Sequence, residues 1–270
     1  MGWVIRLSIV TITMNDPEGL MRTLQSTAAL KKALGNSAEQ IIIDSSTLLN
    51  SEIKMKFCGE SYCWIDTPAR GIYAALNLGT AKSRGNIVWH LNGGDSLLNP
   101  ETLMKSLDLL EENSQSDFLF SPVVFGKNGE SWGSSSLRSD FKRNIFGINR
   151  IPHQGVLFRK SLFEKLGKFR EDLKIAGDHD FFLRMVNEKY LGSFQPNAFA
   201  YFDMNGLSQK NLGLGIRESL SVIQLLVSNN DERTRAKAIL KTYLYFLPLF
   251  KGLIANKLTF KFIKKLAGFI

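Results

Sequence analysis

Apolar and polar positions along the chain follow two alternating rhythms. The runs "VIRLSIVTIT" (4–13), "QIIID" (40–44), "SYCWID" (61–66) and "NIVWHL" (86–91) are short, β-branched and nearly continuous in their apolar character. That pattern predicts strands covered on both faces. Between and after them, "PEGLMRTLQSTAALKKAL" (17–34), "GIYAALNLGTAKS" (71–83) and "NPETLMKSLDLLEEN" (99–113) carry apolar residues at helical spacing. Asn15-Asp16-Pro17 and Asn99-Pro100 supply start signals for the first and third of these helices, because proline fits the first helical turn and Asn or Asp caps it. Strand–helix–strand units repeated at this interval imply right-handed crossovers and a mostly parallel α/β sheet.

In an open sheet of this kind ligands bind beyond the carboxyl ends of the strands. Three such ends converge: Thr11 to Asn15, Asp44, and Asn92 to Asp95 in "HLNGGDSL". This is the layout of a nucleotide-binding half-domain, but neither glycine-rich phosphate cradle is present. No G-x-x-x-x-G-K-[ST] loop occurs, and "LGLGIR" (Gly213, Gly215) has no third glycine in register and no strand before it, so it reads as a loop or helix cap. A diphosphate bound here would need a metal ion, and Asp95 is placed to hold one. The segments 121–150 and 192–215 read as loops.

Composition narrows the picture. With 270 residues and 44% hydrophobic content, the chain is long and apolar enough for a large globular domain. Two cysteines, Cys58 and Cys63, are too few for a disulfide framework or a zinc site, so a reducing cytosol is expected. No signal peptide is recognised at the start, and no run of about 20 apolar residues exists. The longest, "YLYFLPLFKGLI" (243–254), is broken by Pro248 and Lys251. The net charge of +9 is concentrated late: residues 231–270 contain nine Lys or Arg against Asp231 and Glu232. A near-neutral stretch before residue 231, with a tail whose spacing is apolar instead of base-stacking, argues against nucleic acid.

At this point "LSIVTITMNDPEGLMRTLQS", "QIIIDSS", "ARGIYAALNLGTAKSRGNIVWHLNGGD" and "PHQGVLFRKSLFEKLGKFREDLKIAGDHDFFLRM" together resemble successive blocks of glycosyltransferase family 2, over roughly residues 5–190. The resemblance implies a GT-A fold and transfer of a sugar from a nucleotide donor, by inversion, to an acceptor hydroxyl. It implies that Asp44 meets the nucleotide base, although "DSSTLLNSE" departs from the family's acidic loop and the same Asp can simply cap a turn. It places Arg70 and Gly71 at the helix beside the donor, with Asn77 a weaker candidate. "NGGD" matches the metal motif with Gly94 in place of the first acid and Asp95 as the second; Asn92 and Asp95 in an ordinary turn is the alternative. Asp178 in "GDHDFFLRM" falls on the catalytic base, Gly177 replacing the acid before it; the alternative is a first-turn acid favoured by the helix dipole.

His153 in "IPHQG" and His179 beside Asp178 are acceptor or phosphate candidates, and His153 also reads as a satisfied loop histidine. His90 is expected to pack in the sheet. Trp132 in "GESWGSSS" either stacks on a sugar or anchors a loop. Asp180 and Arg184, four apart, are expected to pair. The expected organisation is a catalytic domain over 1–210, with a donor half 1–98 and an acceptor half 99–210, followed by a helical, basic, amphipathic region over 211–270. Within it, 251–270 has the composition of an interfacial helix; packing on the catalytic domain or dimerisation are the alternatives. The function expected is transfer from a nucleotide-sugar, a UDP-sugar, to a glycan or lipid-linked acceptor of bacterial polysaccharide assembly. It uses Mn2+ or Mg2+ in the cytoplasm, at the inner face of the membrane. A sugar-nucleotide-binding protein without turnover and a nucleotidyltransferase are the rival readings.

Overall fold

A computed structural model describes residues 5–250, apart from 48–49, 60 and 147–148. The expectation for an interfacial helix over 251–270 lies outside the described residues. The first part of the chain runs β1 (Leu7–Thr13), α1 (Pro17–Leu34), β2 (Ala38–Asp44), α2 (Ser51–Lys56), β3 (Tyr62–Asp66), α3 (Ile72–Lys82) and β4 (Ile87–His90). Then follow β5 (Ser96–Leu97), α4 (Pro100–Glu112), β6 (Phe118–Phe120), β7 (Val123–Lys127), β8 (Glu130–Ser134), α5 (Phe141–Ile145) and β9 (Val156–Arg159). The last part is α6 (Lys160–Leu166), α7 (Gly177–Asn187), β10 (Gly192–Phe194), β11 (Ala200–Asp203), α8 (Leu207–Lys210), α9 (Leu212–Leu226) and α10 (Asn230–Phe250).

Among the described residues the main sheet has seven strands in the order β10-β6-β9-β4-β1-β2-β3. Neighbours run parallel except β9, which is antiparallel to both β4 and β6. The mostly parallel α/β sheet is therefore as expected. The reversed direction of β9 matters for the site, because its entrance, not its exit, lies at the carboxyl edge of β4. Residues just before β9 reach the ligand side.

Strand residues alternate between two cores, one on each face. Val10, Val88, Phe118, Phe120 and Phe158 pack with Leu76 of α3 and with Phe181 and Phe182 of α7. Ile9, Trp89, Leu119 and Leu157 face the other way, against Leu103, Leu107 and Leu110 of α4. His90 is fully buried in the first core, with Nε2 2.8 Å from Thr80 Oγ1 and rings of Phe158, Phe163 and Phe169 around it, so it packs in the sheet as expected. The caps also form as read: Asp16 accepts from Gly19 N at 2.9 Å and Asn99 from Thr102 N at 3.0 Å.

Two readings are corrected. The segments 121–150 and 192–215 are not loops: β5, β11, β7 and β8 form a second sheet in that order. The β7–β8 hairpin turns at Asn128 (φ 50°) and Gly129 (φ 84°), the backbone that an Asn-Gly turn adopts. Its strands were illegible because they are short and interrupted by glycine and serine. "LGLGIR" is neither a loop nor a cap but the opening of α9, where the bare Gly215 lets the helix approach: a Cβ there would sit 2.9 Å from Ile175 Cγ2. Helices α9 and α10 are the described part of the C-terminal region. Val222, Ile223, Ala236 and Leu240 from these two helices, and Val227 just after α9, join the same core as α7. None of the helices among the described residues is long and apolar enough to cross a membrane.

Helix α3 is seated on β1 through Gly79, whose Cβ would lie 2.3 Å from Val10 Cγ1. Gly79→Ala should therefore destabilise. Overpacking costs roughly 1–3 kcal/mol, which outweighs the roughly 1 kcal/mol that alanine gains in helix propensity. Urea unfolding measures this, and a stabilised variant would mean that α3 does not approach β1 so closely.

Candidate active site

The carboxyl ends of β1 and β4 open onto a cavity of about 570 Å3. The remaining walls come from residues 149–154, the start of α7, the end of β11, α8 and α9. Its floor is the turn after β4. Gly94 holds φ at +99°, a conformation costly for other residues. Thr23 of α1 latches this turn: its hydroxyl donates to Asp95 O at 2.6 Å and accepts from Gly94 N at 3.0 Å.

Asp95 is buried. Its Oδ2 accepts from Gln154 Nε2 at 2.6 Å and its Oδ1 from the backbone N of Asp203 at 2.9 Å. Burial outweighs these bonds and pushes its pKa up to about 7. Asp203, at the end of β11, is a second buried carboxylate on the same wall, 3.4 Å from Arg22 Nη2. Two buried carbonyl oxygens beside them, Asn92 Oδ1 and Gln154 Oε1, have no hydrogen-bond partner among the described residues.

Across the cavity, Asp178 stands in the first turn of α7. Its Oδ1 accepts from the backbone N of His179 at 2.7 Å, while its Oδ2 lies 3.9 Å from His153 Nδ1. The other nitrogen of His153, Nε2, meets Asn92 Nδ2 at 3.1 Å. A line of polar groups, Asp178–His153–Asn92, thus crosses from α7 to the turn after β4.

Six predicted residues line this cavity: Asn92, Gly94, Asp95, His153, Asp178 and His179. His179, however, is buried with both nitrogens used, Nε2 on Ile145 O at 2.9 Å and Nδ1 on Ser219 Oγ at 3.1 Å. Burial holds its imidazole below the ordinary value, hence neutral. The other six do not line the cavity. Thr11 Oγ1 is buried and accepts from Gln40 Nε2 at 3.0 Å. Asn15 (φ 54°) accepts from Thr47 N at 2.9 Å and joins the loop after β1 to the loop after β2. Asp44 is buried at the end of β2, with Ser46 N and Asn50 Nδ2 at 2.9 and 2.8 Å. Arg70 is exposed, and Gly71, at φ 104°, precedes α3. Trp132 is buried in β8 with Lys127 Nζ 5.2 Å from its ring centre. The Asp180–Arg184 pair forms as expected, at 2.9 Å.

The sequence profile of glycosyl transferase family 2 matches residues 8–190, more than half of the chain. The chain belongs to glycosyl transferase family 2. Among similar curated proteins is an uncharacterized glycosyltransferase of Mycobacterium tuberculosis, 28% identical over 179 residues, covering 66% of this chain and 68% of that one. A glycosyltransferase of PGL/p-HBAD biosynthesis from Mycobacterium bovis is 25% identical over 234 residues, covering 82% and 89%. Similar solved structures include Staphylococcus aureus TarS (residues 1–349) in complex with UDP-GlcNAc, with TM-score 0.63, 19% identity and coverage of 90% and 73%. The mannosyltransferase PcManGT of Pyrobaculum calidifontis, in complex with GDP-Man and Mn2+, superposes with TM-score 0.60, 14% identity and coverage of 90% and 70%. The protein is thus a glycosyltransferase of GT-A fold.

In this glycosyltransferase the replacement of an acid at 177 has a steric reason. A Cβ on Gly177 would sit 2.6 Å from the ring of Tyr73, which packs against the start of α7 and accepts from Asp178 N at 3.2 Å. A Cβ on Gly94 would make only ordinary contacts, 3.7 Å from Asp203 Cβ and 3.8 Å from Asp16 Oδ2, so its constraint is backbone φ. Among the described residues no group of three or more His, Cys, Asp or Glu could hold a metal ion by itself. Asp95, an anion that burial makes costly, and the two unpartnered carbonyl oxygens form a hard-oxygen set that fits a cation arriving with a phosphate ligand.

Residue-by-residue reading missed four members of this site. Asp203 ends a short strand, as Asp44 does, and "AYFD" (200–203) was the available signal. Gln154 has no signal in the sequence beyond its place next to His153. Arg22 sits on a helix with no special spacing. Glu218 lies beyond the matched region, and its carboxylate accepts from three successive backbone N–H groups, of Lys174, Ile175 and Ala176, at 2.9, 2.8 and 2.9 Å. Those residues lead directly into Asp178, so α9 fixes the approach to the first turn of α7. Glu218→Ala, which releases the peptide groups leading into Asp178, should lower sugar transfer about a hundredfold, the order of effect of a displacement of about 1 Å within a site, with nucleotide-sugar binding unchanged in a thermal-shift assay.

Asp95 gives a prediction with a defined sign. Between its ordinary value of about 4 and its folded value of about 7, the unfolded chain loses the proton and the folded chain keeps it. Stability therefore falls with rising pH through this window and is level above it. Asp95→Asn removes the penalty, and Gln154 can turn its amide to accept from the new Nδ2. The melting temperature of the variant minus that of the wild type should rise from pH 4 to 7 and then plateau.

Proposed function

We propose that this glycosyltransferase is an inverting enzyme that moves a sugar from a nucleotide-sugar, a UDP-sugar, to a hydroxyl of a glycan or lipid-linked acceptor. The observation that carries the reading is one cavity with Asp178 on one wall and the Asn92–Asp95 turn as its floor. The solved neighbours support the donor class, since they carry UDP, UDP-GlcNAc or GDP-Man.

Asp178 is the base. Its Oδ1 is engaged by the backbone N–H of His179, so the proton of the acceptor hydroxyl goes to Oδ2 as the new glycosidic bond forms and the bond to the diphosphate breaks. His153, 3.9 Å from that oxygen, then stands beside the protonated carboxyl and links it to Asn92. Its imidazole keeps water from replacing the acceptor on that side. Asn92, the Gly94 turn and Asp95 receive the donor, with Arg22 of the Asp203 pair as a further cation at the cavity wall. Asp44, Asn15, Arg70 and Gly71, at the neighbouring strand ends, form the nucleoside side of the donor half.

A divalent cation, Mn2+ or Mg2+, would be held by Asp95 and donor oxygens; when bound it offsets the charge of the diphosphate. Gln154 and the backbone of Asp203 keep Asp95 turned toward that place. The catalytic domain corresponds to 1–210, with donor half 1–98 and acceptor half 99–210, and the basic region 211–270 brings the enzyme to the inner face of a bacterial membrane. That assignment rests on its charge and on the relatives of PGL/p-HBAD biosynthesis.

UDP should raise the melting temperature only when Mn2+ is present, by the usual coupling of ligand binding to the folded state, and Asp95→Asn should abolish the shift. Asp178→Asn should keep it while sugar transfer falls about 10²- to 10⁴-fold, the range of a lost general base. A shift that is independent of metal would remove the cation from the mechanism, and full activity in Asp178→Asn would remove the base.

A further inference from the structure

The cavity has a side that neither the donor nor the accepting hydroxyl uses. Leu212, Gly215, Ile216 and Ser219 all line it; at intervals of three, four and seven they form a single stripe along α9. Leu207 of α8, Leu240 of α10 and Ile175 complete this wall. The stripe bears no titratable side chain, and Leu207 remains 51% exposed at its edge. A wall for sugar rings must offer hydrogen-bond partners for their hydroxyls, since burying them unpaired is costly. Leucine and isoleucine offer none; the Ser219 hydroxyl meets His179, and Ser208 and Gln209 stand at the α8 end, so the occupant of the stretch along α9 is apolar.

Its identity follows from position. Ser219 binds His179, and Glu218 holds the residues that lead into Asp178, so the apolar wall adjoins the base. Whatever fills it lies next to the accepting hydroxyl and belongs to the acceptor. Charge points the same way: Arg235 and Lys241 of α10 are exposed, and residues 231–270 hold nine basic against two acidic residues. Such a region complements an anionic lipid surface.

We infer that the α8–α9–α10 wall is a subsite for the apolar aglycone of the acceptor, so that the substrates are glycolipids and not free glycans. This rests on the glycosyl-transfer reading above. The test is calorimetric titration, with UDP present, of n-hexyl to n-nonyl β-D-glucosides below their micelle-forming concentrations, with maltotriose as the free glycan. Each added methylene should tighten binding about fourfold, as full burial of a CH2 group requires, and maltotriose should bind far more weakly than the nonyl glucoside. Leu212→Asn and Ile216→Asn should flatten the chain-length dependence. Leu207→Ser, at an already exposed position, should weaken it without disturbing the fold and decides the matter if the other two do not fold. Met55→Ser, on α2 and 70% exposed, should leave it intact.

Affinity independent of chain length, equal flattening in Met55→Ser, or maltotriose binding as tightly as the nonyl glucoside would overturn the inference. The two readings fail separately. A metal-dependent UDP shift without chain-length dependence removes the aglycone subsite alone. Chain-length dependence without any UDP shift removes the donor reading and leaves an apolar binding site.

Discussion

Asp95 joins three parts of the chain that are far apart in sequence. It stands after β4, takes a hydrogen bond from Gln154 in the segment entering β9, and takes another from the backbone of Asp203 at the end of β11. One carboxylate therefore ties the main sheet, the reversed strand and the second sheet at a common point. Its burial raises the cost of its own charge. The same low-dielectric setting strengthens its interaction with any cation placed beside it. Thr23 holds the turn from below, so the carboxylate is positioned from both sides before any ligand arrives.

The opposing wall is built with similar economy. Tyr73 fills the space where Gly177 lacks a side chain and hydrogen-bonds the backbone of Asp178. Glu218 binds three consecutive N–H groups on the way into α7. Asp178 is thus fixed through its backbone on the cavity wall. These contacts give the two acid-to-glycine replacements different meanings. At 177 an aromatic ring occupies the volume, whereas at 94 the chain needs a positive φ.

Much of the main sheet was legible because its strands are continuous apolar runs between capped helices, as at "QIIID" and Asn99-Pro100. Asp95 could be singled out at the abrupt change from apolar strand to polar turn, and Asp178 because its block resembles the one that carries the family's base. The second sheet was hidden: strands of two to five residues carry too few apolar positions to show a period, although Asn128-Gly129 marked the hairpin. Arg22, Gln154 and Glu218 were missed for another reason. Their roles come from long-range hydrogen bonds, such as the 59 positions between Gln154 and Asp95, and such pairings leave no local pattern. Trp132 stood out by its chemistry, yet in the fold it is buried beneath Lys127.

The Glu218 clamp has a consequence for the order in which the protein becomes competent. Synthesis proceeds from the N-terminus, and early segments can begin to fold before later ones emerge. A nascent chain that has reached residue 190 already carries every block matching the family, but not the carboxylate that steadies the peptide groups before Asp178. The first turn of α7 is then steadied only once Glu218 has emerged and docked on the peptide groups of residues 174–176.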